Sequence, residues 1–254
     1  MTSCLRFGMP DFLLYVAVGF AAQMIDGTLG MAYGISATTF LLSIGLSPLV
    51  ASATVHAAEC FTTGFSALAH HYFNNIDRAL FRRLLIPGVI GAATGAYLLS
   101  NLPGDELKPY IAIYLLIMGG VIILRVAKSV PPLSTAKHVI PLGFVGALVD
   151  AIGGGGWGPV VASTLIAQGN HVRTVVGSVN AAEFFVTLTA SLTFLFTIGF
   201  SHWQIIAGLA LGGALAAPLA AYTCKKAPIK PLMVFVGLLI IGLSLRTLML
   251  AWCR

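Results

Sequence analysis

The sequence predicts an all-α polytopic membrane protein made of two inverted repeats, each a glycine-broken hairpin of short helices followed by three spanning helices. Three observations carry that prediction. Only 9% of the 254 residues are charged and 58% are hydrophobic, with a mean hydropathy of +0.95; a soluble domain of this length needs far more charge to cover its surface. Two stretches repeat each other at a constant offset of 124 residues. In each of them an apolar run reaches a carboxylate, Asp26 or Asp150, and breaks in glycine-rich sequence before apolar sequence resumes. Interrupted hydrophobic segments at matching places of an internal repeat point to the binding site of a transporter.

The repeat extends well past those two acids. Leu41 aligns with Leu165, Gly45 with Gly169, Val55 with Val179, and Ala57-Ala58-Glu59 with Ala181-Ala182-Glu183. Phe61 then aligns with Phe185, Thr63 with Thr187 and Gly88 with Gly212. A composition this biased supplies scattered Ala, Leu and Gly matches by chance. It rarely aligns two intramembrane acids with two others.

The elements follow in order. The first repeat, residues 1–127, holds a short apolar segment over 10–26, the break, and a second short segment over 34–45. Ser47-Pro48 opens a long helix over 49–73, and helices over 79–100 and on to 127 follow Asn74-Asn75-Ile76-Asp77 and the polar loop of Asp105, Glu106 and Lys108. Residues 128–138 form a polar linker. The second repeat, 139–254, copies the order with segments over 139–152, 158–168, 173–199, 203–224 and 230–252. About 20 helical residues cross a hydrocarbon core, so the three later helices of each half span. The pieces flanking each break are shorter, which suits a re-entrant hairpin, giving three net crossings per half, or a broken helix, giving five if both pieces span. Irregular backbone there must be covered by protein or by a water-filled cavity.

Basic residues set the orientation. Arg78, Arg82 and Arg83, then Arg125 with the linker residues Lys128, Lys137 and His138, and Lys225, Lys226 and Lys230 mark three cytoplasmic loops, whereas 101–107 and 199–202 carry no Lys or Arg. The first repeat then begins outside and the second inside, so the halves are inverted. The net charge of +6, from 14 basic against 8 acidic residues, therefore reads as topology and not as nucleic-acid binding. Residues 1–9 are too short for a cleavable signal, so the first apolar segment is expected to remain. Cys4, Cys60, Cys224 and Cys253 show no CxxC spacing and suggest neither a metal cluster nor a disulfide framework.

The candidate site gathers at the breaks and on the long helices. His56, Glu59, Thr63, Ser66 and His70 fall at helical spacing on one face, and the equivalent helix carries Asn180, Glu183 and Thr187. At 1.5 Å per residue Glu59 and Glu183 each lie about 15 Å into their helices, near the midplane, with Asp26 and Asp150 at the hairpin tips. Intramembrane ionisable groups are functional-site candidates by default. Each has a structural alternative. The aspartates can accept hydrogen bonds from N–H groups of the break, as helix caps do, the glutamates can form structural pairs, and His56, aligned with Asn180, can be a polar contact only. Gly153 to Gly156 can serve close packing, but four in a row exceed that need. Their better use is to leave N–H groups free for an anion at the helix start Gly158-Pro159, with Gly34 and Ile35 in the same place of the first repeat.

Four motifs in order carry a family resemblance. They are Asp26-Gly27-Thr28-Leu29-Gly30-Met31-Ala32-Tyr33-Gly34, Ala51-Ser52-Ala53-Thr54-Val55-His56-Ala57-Ala58-Glu59, Gly153-Gly154-Gly155-Gly156-Trp157-Gly158-Pro159 and Gly177-Ser178-Val179-Asn180-Ala181-Ala182-Glu183-Phe184. Over nearly its whole length the chain resembles the TauE/SafE family of sulfite and organosulfonate exporters. The resemblance implies a multi-pass bacterial inner-membrane permease moving small sulfur-containing anions outward.

The expected substrate-binding set is Asp26, Gly30, Tyr33, Gly34, His56, Glu59, Thr63, Asp150, Gly154, Gly155, Gly156, Trp157, Gly158, Asn180 and Glu183. No Lys or Arg falls at the midplane, so helix N-termini, N–H groups, hydroxyls and His56 must attract the anion. Ionised acids would repel it. Apolar surroundings favour the neutral carboxyl and hydrogen bonds favour the charged one, so the aspartates at the tips are expected to stay charged and the glutamates to carry protons, which would couple transport to protons. The alternative is that both glutamates stay ionised in fixed networks and the anion gradient and membrane potential drive transport. The expected partners are thus the anion, protons and the bilayer, with no nucleic acid; a homo-oligomer is compatible. No cofactor is expected, and ATP drive would need a partner because no nucleotide-binding motif occurs. The alternative is a divalent metal-ion permease using Asp26, His56, Glu59, Asp150 and Glu183. An enzyme is disfavoured: neither GxSxG nor HExxH occurs, and Ser66 with His70 is a weak dyad.

Overall fold

Apolar sequence with this little charge satisfies its backbone by bonding within each segment, and helices do so. The computed structural model describes residues 9–29, 31–127, 138–168, 170–199, 202–223 and 229–252. The first half contains α1 (Met9–Leu29), α2 (Tyr33–Ser43), α3 (Pro48–Tyr72), α4 (Arg78–Asn101) and α5 (Gly104–Ala127). The second contains α6 (Val139–Gly153), a π-helical turn (Gly158–Ala162) that continues as α7 (Ser163–Ala167), α8 (Val172–Ile198), α9 (Trp203–Thr223) and α10 (Ile229–Trp252). Among the described residues there is no strand. The linker at 128–137 lies outside the described residues.

Element boundaries keep the offset seen in the sequence. α1 ends at Leu29 and α6 at Gly153, while α3 opens at Pro48 and α8 at Val172, each pair being 124 residues apart. One expectation needs correction. The sequence puts the break directly after Asp26, but α1 runs on to Leu29 and has 21 residues, about 31 Å of helix. A single glycine such as Gly27 weakens a helix by about 1 kcal/mol without ending it. α2 with 11 residues and α6 with 15 are short, as expected.

Among the described residues, Arg78–Asn101, Glu106–Leu124 and Thr174–Ile198 are long and apolar enough to cross a membrane. Large apolar side chains such as Phe65, Leu124, Phe196 and Met249 point outward, leaving a surface suited to hydrocarbon. The chain is a membrane protein.

The two halves interlock. α1 packs along α9 and its counterpart α6 along α4, while α5 packs on α10 and α3 on α8. Glycines allow the closest approaches: a Cβ at Gly212 of α9 would strike the backbone of Val16, one at Gly91 of α4 that of Phe144, and one at Gly95 that of Leu148. Gly91 and Gly95, like Gly208 and Gly212, show the small-xxx-small spacing that brings membrane helices into backbone contact. At the centre, α3 and α8 cross where Thr63 Oγ1 and Thr187 Oγ1 lie 3.4 Å apart, a residue facing its own counterpart.

The turn before α4 is fixed by Asp77, whose carboxylate caps the N–H groups of Ala79 and Leu80 at 2.8 and 3.1 Å. The Asp77 N–H donates to Ser178 Oγ at 2.8 Å near the start of α8, and Ser100 Oγ meets Thr197 Oγ1 at 2.8 Å near its end. α4 and α8 therefore run side by side in the same direction.

Candidate functional site

The two aspartates do the same thing in the two halves. Asp26 Oδ1 accepts the N–H of Tyr33 at 3.4 Å, and Asp150 Oδ1 accepts that of Trp157 at 2.9 Å. Each carboxylate, on the last turn of one helix, reaches seven residues ahead to the start of the next element. Capping and lining a site are thus compatible roles for them.

The second tip is held from all sides. Gly154 takes a left-handed conformation at φ 68°, and the N–H groups of Gly154 and Gly155 both return to the Asp150 carbonyl, a helix-ending pattern that glycine suits. Hydroxyls from three first-half helices take the carbonyls of this region. Thr38 of α2 donates to Gly154, Tyr114 of α5 to Gly155 at 2.9 Å, and Ser52 of α3 to Ala151 at 2.5 Å. The expectation that four glycines exceed what packing needs is corrected here. A Cβ at Gly153 or Gly156 would meet Tyr114, one at Gly154 would meet Thr38, and one at Gly155 would enter the backbone of Gly34 and Ile35. Several N–H groups that were left for an anion are also taken, by Asp150.

At the first tip, Ala32 holds the place of Gly156 and is left-handed at φ 92°. An L side chain pays for that conformation with about 1–2 kcal/mol. Ala32→Gly should therefore raise the unfolding free energy by about 1 kcal/mol, seen as a higher Tm in detergent; a lower Tm would show that the Ala32 methyl group packs better than its backbone strains.

The tips touch. A Cβ at Gly34 would stand 2.8 Å from Gly155 Cα and 2.9 Å from Glu59 Oε1. Glu59 and Glu183 approach from the crossing helices α3 and α8, and among the described residues no donor hydrogen-bonds either carboxylate. Asp26, Tyr33, Gly34, Glu59, Asp150, Gly155, Gly156, Gly158 and Glu183 line one polar cavity, together with Ala32, Ile35 and Pro159. Its empty space is about 200 Å³ including the opening, and the interior admits little more than a water molecule.

His56 reaches the cavity through Asp150. Its Nε2 lies 3.1 Å from Asp150 Oδ2 and its Nδ1 2.8 Å from the Ser52 carbonyl. A carbonyl only accepts, so Nδ1 carries a proton. The Nε2–carboxylate contact then requires one further proton between the two groups, on the imidazole or on the acid. Either way the His56–Asp150 pair is electrically neutral. The first half lacks this partner, because Asn180 stands at the matching place and its Nδ2 lies 3.5 Å from His70 Nε2.

The remaining expected residues sit beside the cavity. Thr63 donates to the Glu59 carbonyl at 2.6 Å, and Trp157, fully buried, donates from Nε1 to the Val179 carbonyl at 3.1 Å. Tyr33, at the matching place to Trp157, anchors its hydroxyl on the Leu209 carbonyl at 3.2 Å and also lines the cavity. Gly154 lies behind the wall, and Gly30 lies outside the described residues. Sequence reasoning did not find Ala32, Thr38, Ser52 or Tyr114. Among the described residues, no three of His, Cys, Asp and Glu converge as metal ligands.

Comparison with known proteins gives two matches. Residues 15–247 fit the model of the family described as Sulfite exporter TauE/SafE. The chain is similar to "Probable membrane transporter protein YtnM" of Bacillus subtilis (strain 168), with 42% identity over 96% of this chain and 85% of that protein. No solved structure matches.

Proposed function

The chain belongs to the Sulfite exporter TauE/SafE family of membrane transporters, and from that premise we propose that it is a secondary transporter exporting a small sulfur-containing anion across the bacterial inner membrane, linked to protons. Sulfite, sulfoacetate and other short organosulfonates are the substrate class. The observation that carries this reading is the convergence of both glycine-rich tips and both glutamates on one buried polar cavity. Backbone irregular at membrane depth and facing a cavity is the usual makeup of a transporter's site.

The cavity's four acids are the obstacle to an anion site, and the arrangement answers it in part. His56 neutralises Asp150. Asp26 keeps its charge and accepts one N–H, and protons on Glu59 and Glu183 remove the repulsion of those two acids while offering O–H donors to sulfonate oxygens. Anion affinity then rises as pH falls. For sulfoacetate and sulfite, binding from about pH 5 to 8 should strengthen toward the acid end, and Glu59→Gln with Glu183→Gln should flatten the profile. A flat wild-type profile matching the double variant would remove proton linkage. Flux in proteoliposomes that follows a divalent metal and ignores sulfonates would return the metal-permease reading.

The cavity is too tight for its substrate in this conformation, so access requires the tips to part, and inverted repeats supply the motion by rocking of one half against the other. The paired packing of α1 on α9 and α6 on α4, the parallel course of α4 and α8, and the constant offset support that organisation. With native cysteines replaced, single cysteines at positions 104 and 227 should react with impermeant reagent from opposite faces of the membrane. Reaction of both from one face would exclude inverted halves.

A further inference from the structure

Away from the cavity, a groove of about 770 Å³ opens on the outer surface between the later turns of α3, the start of α4 and the middle of α8. That size lies within the range of small-molecule sites, about 300–1,000 Å³. Phe61, Phe65 and Leu68 line it and stay more than half exposed, at 57%, 61% and 68%. Behind them Phe185 stacks edge-on with Phe81 at 6.0 Å and with Phe184 at 5.1 Å. Arg78 and Arg82 line the same groove, and both are exposed. Among the described residues no carboxylate lies within 4 Å of either guanidinium group. Nor does the helix favour Arg78, because a cation in the first turn opposes the helix dipole, and the nearby Asp77 caps two backbone N–H groups through Oδ1.

We propose that this groove binds one anionic phospholipid, with its phosphate on Arg78 and Arg82 and an acyl chain along Phe61, Phe65 and Leu68. The arginines supply the charge and fork geometry that suit a phosphate. The nearly all-apolar walls suit a hydrocarbon chain and not a small hydrated anion, whose contacts would end at the two guanidinium groups and His71. A basic pocket between membrane helices is a recognised setting for phospholipid headgroups.

Native mass spectrometry of the full chain in detergent, titrated with an equimolar mixture of chain-matched phosphatidylglycerol and phosphatidylcholine, tests this. One phosphatidylglycerol should be retained in about tenfold preference, since each basic contact near a membrane surface favours the anionic lipid. Arg78→Gln with Arg82→Gln should bring the ratio to about one, and Arg83→Gln, outside the groove, should leave it unchanged. Leu68→Trp, at an exposed position, should fill the groove and lower retention even if the arginine variant fails to express. Equal retention of the two lipids by the wild type would overturn the proposal, as would an equal loss in Arg83→Gln. Inorganic phosphate competing as well as the lipid would overturn the acyl-chain assignment. A dimer in the same spectra that Leu68→Trp dissolves would give the groove to a second copy and overturn it too.

Discussion

Glu59→Ala and Glu183→Ala should each reduce transport to background while leaving the protein in the membrane in wild-type amount. The two halves of that expectation have separate causes. Glu59 Oε1 stands against Gly34 where the two tips meet, and Glu183 faces the same cavity from α8. Removing either takes away the carboxyl that is proposed to carry the proton and meet the anion. The fold should tolerate the loss, because among the described residues no donor depends on either carboxylate. Large penalties for buried polar substitutions come from partners left unsatisfied, and here there are none of that kind. Glu59→Gln tests the role more finely, since the amide keeps a donor and loses the titration: binding should persist and its pH dependence should fall. Arg82→Ala, at the surface start of α4, should alter expression or orientation more than substrate affinity. Flux assays normalised to membrane protein decide the matter, and normal transport in both alanine variants would sink the site.

Much of this architecture was legible because it depends on local rules repeated twice. Apolar length, breaks at glycine runs and Ser47-Pro48 as a helix start place most elements within a few residues, and Asp26 and Asp150 lie where the repeat put them. α1 ends at Leu29, three residues beyond the expected end at Asp26, because the isolated Gly27 does not stop a helix as the run of four from Gly153 does. The small-xxx-small pairs Gly91/Gly95 and Gly208/Gly212 are a further local signal, of close helix packing. Other features have no local signature. Ser52, Thr38 and Tyr114 become tip clamps only through packing between halves, and His56 meets Asp150 across 94 residues of chain. A composition rich in hydroxyls and glycine cannot say which carbonyl a hydroxyl will find. For the same reason the tip N–H groups looked free: whether a carboxylate folds back on them is settled by three-dimensional closure and not by spacing alone.

Gly155→Val should abolish transport and also destabilise the protein, by about 2–5 kcal/mol. Two costs coincide at this position. Its φ of 153° is one that side-chain-bearing residues rarely adopt, and an added Cβ would enter the backbone at Gly34 and Ile35, where no rotamer change can relieve the overlap. Gly45→Ala separates the two costs. Gly45 has φ 106° with nothing within 4 Å of an added Cβ, so that variant bears backbone strain alone, about 1–2 kcal/mol, and should transport normally. If tip contact is what matters, Gly34→Ala, whose Cβ would press on Gly155 and on Glu59 Oε1, should resemble Gly155→Val in lost flux although Gly34 lies at the start of an ordinary helix. Tm and flux measured together on the three variants give the order. Should Gly45→Ala lose as much transport as Gly155→Val, strain anywhere in the backbone would explain the defect, and the meeting of the two tips would have no special part in it.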